Sequence, residues 1–507
     1  MDIPLTESRI QKLLNNRWFF IFLVVIAGYF LGNFFFGLTL YKQYLWLFLG
    51  IFFIIVFAIG TPILLLLLLL LSIFSRGVFN IMGDITLFDI SLIILSGSII
   101  IRKISIKKSF KFRKEGKVFV VFMSIIIFSE ALGFIRFPGI FISASFKPFL
   151  QLIEYLLVFM CAVYLIRTPK DIKKYVGFEV FCGLLLAVVT LYEANFGIFT
   201  FRDQPIFLNT YYPFLGELKI NPSLMLLFIP TFWLVVFLAR KKLYLFGLIP
   251  FLVYIFILSA SRSLYLGILG GVIGLLYLKN ISRVALVLII CIVVGAFNIS
   301  FVKPKVSEVY ESFEGYFSDP YTFPYSIKKT STAGRFVLIK TALLLTLRHP
   351  FWGYGINGFG MELYSRSDLK DSSGNNVFLD WFGTPLTPFS DTHNQYLQIL
   401  ADHGILALVI FFYLIIKMLK ISLNNYKKAN DRFLKDVSRA LFISLVSLLF
   451  AFLGVVLLET DNNITPMIFW FNLGLIYSIK RLVINNKGKN NNRMNHDFLK
   501  ERENEKV

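Results

Sequence analysis

Trp18–Leu38 reads W-F-F-I-F-L-V-V-I-A-G-Y-F-L-G-N-F-F-F-G-L. It holds no charged side chain, and as a helix it is long enough to cross about 30 Å of hydrocarbon. Leu441–Leu458 repeats the pattern with L-F-I-S-L-V-S-L-L-F-A-F-L-G-V-V-L-L. Between them apolar runs follow one another along most of the 507 residues. The chain is 57% hydrophobic and only 16% charged, with a mean hydropathy of +0.72. A soluble domain carries about a quarter of its residues charged. The solvent of this chain is therefore a bilayer, where backbone groups must be satisfied internally, and the expected spans are helices.

The net charge is +21, from 51 Lys and Arg against 30 Asp and Glu. Much of it sits in short connections between apolar runs, which fits positive-inside topology better than a nucleic-acid surface. Cys161, Cys182 and Cys291 all fall inside apolar runs, so no external disulfide and no metal-ligand spacing is expected. The first span is too long for the apolar core of a cleavable signal peptide, and no small-residue cleavage site follows it.

Further spans are expected at roughly 84–101, 117–136, 147–166, 174–195, 220–239, 243–260, 263–279, 282–300, 394–417, 437–458 and 462–480. The basic connections then lie inside, led by R-K-I-S-I-K-K-S-F-K-F-R-K-E-G-K at 102–117. Arg9, Lys12 and Arg17 put the N-terminus inside as well. Parity then requires the apolar stretch Tyr44–Phe74, with its Gly60-Thr61-Pro62 turn signal, to count as two spans or none. The expected fold is an all-α polytopic membrane protein of about 12–14 transmembrane helices. Its expected parts are an N-terminal bundle (1–300), a large external loop (301–391) with short helices, C-terminal spans (392–480) and a polar cytoplasmic tail (481–507). Loops as long as the external segment are usually functional.

Three external positions carry candidate chemistry. Arg262, in S-A-S-R-S (259–263), lies in a short hairpin where the bilayer meets headgroups. Its planar fork suits bidentate diphosphate binding, and a snorkelling interfacial anchor is the plainer alternative. Arg335, in S-T-A-G-R (331–335), precedes the apolar stretch Phe336–Leu347, which reads as an amphipathic helix along the outer surface. Arg335 too has the interfacial alternative. His393 lies in D-T-H-N-Q-Y-L (391–397). Thr392 and Gln395 fit a capping box, making His393 the first residue of the next span. The positive helix end there favours a neutral ring, able to accept a proton from a sugar hydroxyl. The plainer alternative is a polar interfacial histidine. Pro350 should end the surface helix, and the glycines of H-P-F-W-G-Y-G-I-N-G-F (349–359) permit a tight loop that can approach a ligand. His349 reads as structural. Glu130, Glu154 and Glu179 are intramembrane acids better suited to interhelical hydrogen bonds than to an ion pathway.

In this order, the G-R pair, the apolar helix, H-P-F-W-G-Y-G-I-N-G-F and T-H-N-Q-Y-L-Q-I-L-A-D-H-G-I-L-A (392–407) resemble the O-antigen ligase and polymerase superfamily. S-A-S-R-S is similar to that family's upstream arginine motif. The polar stretch from Tyr364 to Pro388 is longer than the resemblance leads one to expect. The resemblance implies a type-C-like membrane glycosyltransferase in a bacterial inner membrane, working at the external leaflet without cofactor or metal. Its donor would be an undecaprenyl-diphosphate-linked glycan and its acceptor a glycan or glycolipid, with membrane lipid around it and no nucleic acid. Residues matching Arg262 and Arg335 would hold the diphosphate, and the one matching His393 would assist the acceptor. Aromatics such as Tyr211, Tyr212, Trp352 and Trp381 could stack on sugars, though lipid interfaces also use them. A lipid-linked oligosaccharide flippase or polysaccharide transporter is the rival from another class; it would show internal repeats and short loops on both faces.

Overall fold

The computed structural model describes residues 114–136, 138–196, 225–238, 248–254, 262–280, 331–365, 391–456 and 466–484, with strand segments between 80 and 220 and single positions at 92, 96, 282–284, 286–288 and 458. The first span and the stretch Tyr44–Phe74, on which the choice between twelve and fourteen helices turns, lie outside the described residues.

The helices are α1 (Lys114–Arg136), α2 (Pro138–Leu165), α3 (Pro169–Phe196), α4 (Met225–Leu238), α5 (Arg262–Tyr277), α6 (Ser331–Arg348), α7 (Gly358–Ser365), α8 (Gln395–Lys428), α9 (Arg432–Ala451) and α10 (Pro466–Ile484). Three of them, α1, α8 and α10, are long and apolar enough to cross a membrane. The architecture is that of an all-α polytopic membrane protein, as the apolar runs predict. Three short antiparallel hairpins add to it: β1 (Asn80–Met82) with β2 (Ile85–Thr86), β3 (Thr200–Phe201) with β4 (Gln204–Pro205), and β5 (Leu208–Tyr212) with β6 (Glu217–Ile220). The last pairs Thr210 with Lys219 and Tyr212 with Glu217. Their branched and aromatic residues favour extended backbone, a period-two signal too short to stand out beside the long helical runs.

Exposed apolar stripes show what surrounds the bundle. On α1 these are Val120, Val121, Ile127, Phe128, Phe134 and Ile135, and on α8 Ile405, Val409, Phe412, Tyr413 and Ile416. Both follow the helical period, so each helix turns one greasy face outward, as lipid requires. Inside, association rests on close packing of small residues rather than on exclusion of water. Gly267, Gly270, Gly271 and Gly274 line one face of α5, against Ile229 and Trp233 of α4 and Ile443, Ser447 and Phe450 of α9. The Trp233 indole N–H donates to Ser447 Oγ at 2.7 Å across that seam. Asn472 of α10 donates to Glu179 Oε1 of α3 at 2.8 Å, the interhelical role expected of that acid.

The two ends of the bundle differ in charge. The α2–α3 connection carries Arg167, with Lys170 in the first turn of α3; its Thr168 caps α3 reciprocally with Asp171. Lys173 lies over the Phe433 ring at the start of α9, beside the Lys427–Lys428 turn, and Arg481 donates to the carbonyl of Ile166. At the other end of α8 stand Arg136, the loop 349–359 and the turn 391–394.

Replacing Gly271 by Leu drives side-chain atoms into the Trp233 ring and should cost about 1–3 kcal/mol. Gly177, with no neighbour within 4 Å of an added Cβ, is the control, and its Ala variant should retain wild-type stability. Thermal unfolding in detergent compares the two.

Candidate functional site

The site is organised by a break in a membrane helix. Gly404 sits inside α8 with φ 77° and ψ 179°, so the helical hydrogen-bond ladder is interrupted at Ala401–Gly404. The loop after α6 takes up the released groups. Tyr354 N–H donates to Ala401 O at 3.0 Å, Gly355 N–H to Asp402 O at 2.7 Å, and Ile405 N–H to Pro350 O at 2.8 Å. A Cβ on Gly353 would run into the backbone of Asp402, and one on Gly404 into that of Phe351. Glycine is needed at both places for backbone-to-backbone approach. The expectation that the loop glycines serve ligand approach is corrected at Gly353: it serves the helix.

Side chains complete the seam. Asp402, fully buried, accepts from Phe359 N–H (2.8 Å), Asn357 N–H (3.1 Å) and the Gln398 amide (2.7 Å). Glu130 of α1 accepts from Ile356 N–H at 2.8 Å. Ser129 Oγ reaches Trp352 O at 2.6 Å and Asp402 O at 2.8 Å. Arg136, in the last turn of α1, donates to Gly353 O at 3.3 Å and lies 4.7 Å from the Tyr354 ring centroid. Its other amino group donates to His349 Nδ1 at 3.2 Å. Arginine has no acceptor, so Nδ1 must be the unprotonated nitrogen. Burial, then the cations of Arg136 and Arg348, hold His349 below the ordinary imidazole range. His349 is thus a neutral structural residue, as its position beside the helix-ending proline suggests.

A helix, α6, covers the stretch Phe336–Leu347 where one was expected, and it ends at Arg348 before Pro350. Leu338, Ala342 and Leu345 pack with Tyr354, Phe359 and Ala401, and with Leu397, so α6 rests on the first turns of α8. Leu343, Leu344, Leu347 and Phe351 remain exposed. Trp352, one of the candidate sugar-stacking residues, packs edge-on against Phe128 at 4.6 Å, on the lipid-facing side of α1.

The cap of α8 is not the one the sequence suggests. Asn394 is the N-cap, with extended backbone and a side-chain oxygen accepting from Tyr396 N–H (3.0 Å) and Leu397 N–H (3.1 Å). One asparagine thereby satisfies two orphan donors. Thr392 instead accepts from Asn394 N–H and donates to its carbonyl. Gln395 accepts from Leu458 N–H at 2.7 Å. His393 therefore stands outside the helix, in the left-handed region at φ 51°. Its electrostatic neighbour is a carboxylate: Asp391 Oδ1 lies 2.8 Å from His393 Nδ1 and 2.7 Å from the His393 N–H. Both side chains are about one-third exposed, at 38% and 32%.

The segment after α9 closes over this turn. The apolar run expected as helix to residue 458 leaves it at Phe452, whose carbonyl accepts from Gln395 N–H at 2.9 Å. Leu453 O accepts from the Asn394 amide at 3.0 Å. Gly454 packs on Ser263, the second residue of α5. The helix start carrying Arg262 and the turn carrying His393 thus meet the same stretch, 452–454. Arg335 lies one turn before Leu338 on α6. The side chains of Arg262 and Arg335 lie outside the described residues, as does Trp381. Among the described residues no group of three or more His, Cys, Asp or Glu could hold a metal ion.

Residues 247–412 match the family model described as O-Antigen ligase. Over that stretch, about a third of the chain, the sequence is similar to the O-antigen ligase family, and the stretch lies within an all-α membrane bundle. The matched segment contains Arg262, Arg335, the loop 349–359 and His393. A search of curated proteins found no match.

Asp402→Ala strands the N–H groups of Asn357 and Phe359 in a buried site, at about 1–3 kcal/mol each. The expected result is a lower unfolding temperature and faster proteolysis within 350–359; wild-type protection of that loop would contradict the clamp.

Proposed function

We propose that this protein is a membrane glycosyltransferase of cell-surface polysaccharide synthesis, joining an undecaprenyl-diphosphate-linked glycan to an acceptor hydroxyl. The supporting observation is the coincidence of the family match with the arrangement around His393. The matched segment holds the start of α5, which meets Gly454 through Ser263, the helix α6, whose Leu338, Ala342 and Leu345 pack with Leu397 and Ala401, and the turn bearing His393, whose neighbour Asn394 binds Leu453 O.

The donor brings its own activated leaving group. In this reading His393 takes the proton of the acceptor hydroxyl as that oxygen attacks the anomeric carbon. The bond to the diphosphate breaks, and undecaprenyl diphosphate leaves with its electron pair. Arg262 and Arg335 hold the charge that grows on the departing phosphate, usually the largest electrostatic contribution. The basic turns beside Arg167 and Lys428 lie in the cytoplasm, and 301–391 with the turn at His393 faces outward. The membrane is then the bacterial inner membrane. Of the two outcomes of this chemistry, extension of a like glycan is favoured over ligation to a lipid core.

The chain's parts follow: a bundle over 1–300, an external catalytic segment over 301–391, closing spans over 392–480 and a cytoplasmic tail over 481–507.

Transfer from purified undecaprenyl-diphosphate glycan in detergent or liposomes tests the chemistry. His393→Ala should lose about 10²–10⁴-fold in kcat, and Arg335→Ala and Arg262→Ala about 10²–10³-fold, with normal membrane insertion. Wild-type turnover in His393→Ala removes its assigned role. The topology is tested separately: single cysteines placed within 301–391 should react with an impermeant maleimide added outside spheroplasts, and labelling only after lysis would reverse the orientation.

A further inference from the structure

The turn 391–394 holds an acidic partner of His393, Asp391, that the assignment above does not use. One oxygen of Asp391 receives both the backbone N–H and the ring Nδ1 of His393, at 2.7 and 2.8 Å. The two contacts close a ring around the His393 side chain and fix its rotation. The backbone under it is equally constrained. A non-glycine residue at φ 51° costs roughly 1–2 kcal/mol, and flanking bonds hold it there. On one side Thr392 N–H donates to Gln398 Oε1 at 2.9 Å, and Gln398 in turn donates to the buried Asp402. On the other, Asn394 is bound to the first turn of α8 and to Leu453 O. A surface ion pair between flexible side chains would have none of this anchoring.

We propose that Asp391 is the positioning residue of the His393 base. This rests on the reading of His393 as the group that takes the acceptor proton. A carboxylate accepts only, so Nδ1 carries the hydrogen and the basic lone pair is on Nε2. The carboxylate also stabilises the imidazolium that forms once Nε2 has taken the proton from the acceptor oxygen; it orients the ring and takes no proton itself. The left-handed backbone at His393 sets the direction in which Nε2 is presented.

Accepting from the His393 N–H is a structural role that asparagine can also fill. Asp391→Asn therefore separates the roles. The expected result is a kcat lower by about 10²-fold or more, with KM for the undecaprenyl-diphosphate glycan within about twofold of wild type. Fluorescence-detected gel filtration should show a wild-type profile. A spectroscopic signature accompanies it. The chain has four histidines, and in protein labelled with ¹⁵N-histidine the His393 signals are those lost in His393→Gln. In the neutral ring of the wild type Nδ1 should carry the proton, and in Asp391→Asn the other tautomer should grow. Asp391→Glu, which keeps the carboxylate, should recover part of the rate. Wild-type kcat in Asp391→Asn, an unchanged tautomer, or a Glu variant no better than the Asn variant each overturns the proposal. Wild-type turnover in His393→Ala would instead overturn the reading on which it rests.

Discussion

A membrane helix that stops being helical must give its freed backbone groups to something other than lipid. In this protein the break at Ala401–Gly404 is repaired by the loop 349–359, which lends and borrows hydrogen bonds much as a neighbouring strand would. The repair works only because two glycines let the backbones touch, and because Asp402 binds the loop N–H groups that face it. In a buried place such bonds cannot be exchanged for bonds to water, so losing one is costly.

Everything near the N-terminal end of α8 takes its position from that seam. The loop fixes the end of α6, and the seam between α6 and α8 lays the helix carrying Arg335 over the first turns of α8. Gln398 passes the constraint from Asp402 to Thr392 and so to the histidine turn. From the other side, the chain leaving α9 caps the same turn through Phe452 and Leu453 and touches the start of α5 through Gly454. α1 adds Ser129, Glu130 and Arg136, three residues whose partners lie more than two hundred positions away. Such cross-links hold residues far apart in the chain in fixed relative positions.

Much of the fold was legible because its cause is local. Apolar runs of the right length become helices in lipid, and the amphipathic stretch before Pro350 became α6 within a few residues of its expected bounds. The candidate residues Arg262, Arg335 and His393 were picked out as polar groups beside apolar runs, and all three fall within the segment 247–412 that matches the family. The hairpins of 200–220 were missed, since a few alternating residues give a weak pattern. So was the end of α9: the residues after Ala451 are as apolar as the helix, yet it ends at Phe452, where Phe452 O and Leu453 O bind Gln395 N–H and the Asn394 amide.

The sequence by itself determined the solvent, the helices and the residue types available for chemistry, because hydrophobicity and length act on each segment alone. Only the tertiary structure decided which asparagine caps α8, and hence that His393 stands outside the helix beside Asp391 rather than at its positive end. It also decided that Gly353 belongs to the helix break and that Asp402, not a ligand, binds the N–H groups of Asn357 and Phe359. Those choices are competitions for buried hydrogen bonds among segments far apart in the chain. Their outcome depends on which partners packing brings within 3 Å, and no local pattern encodes that.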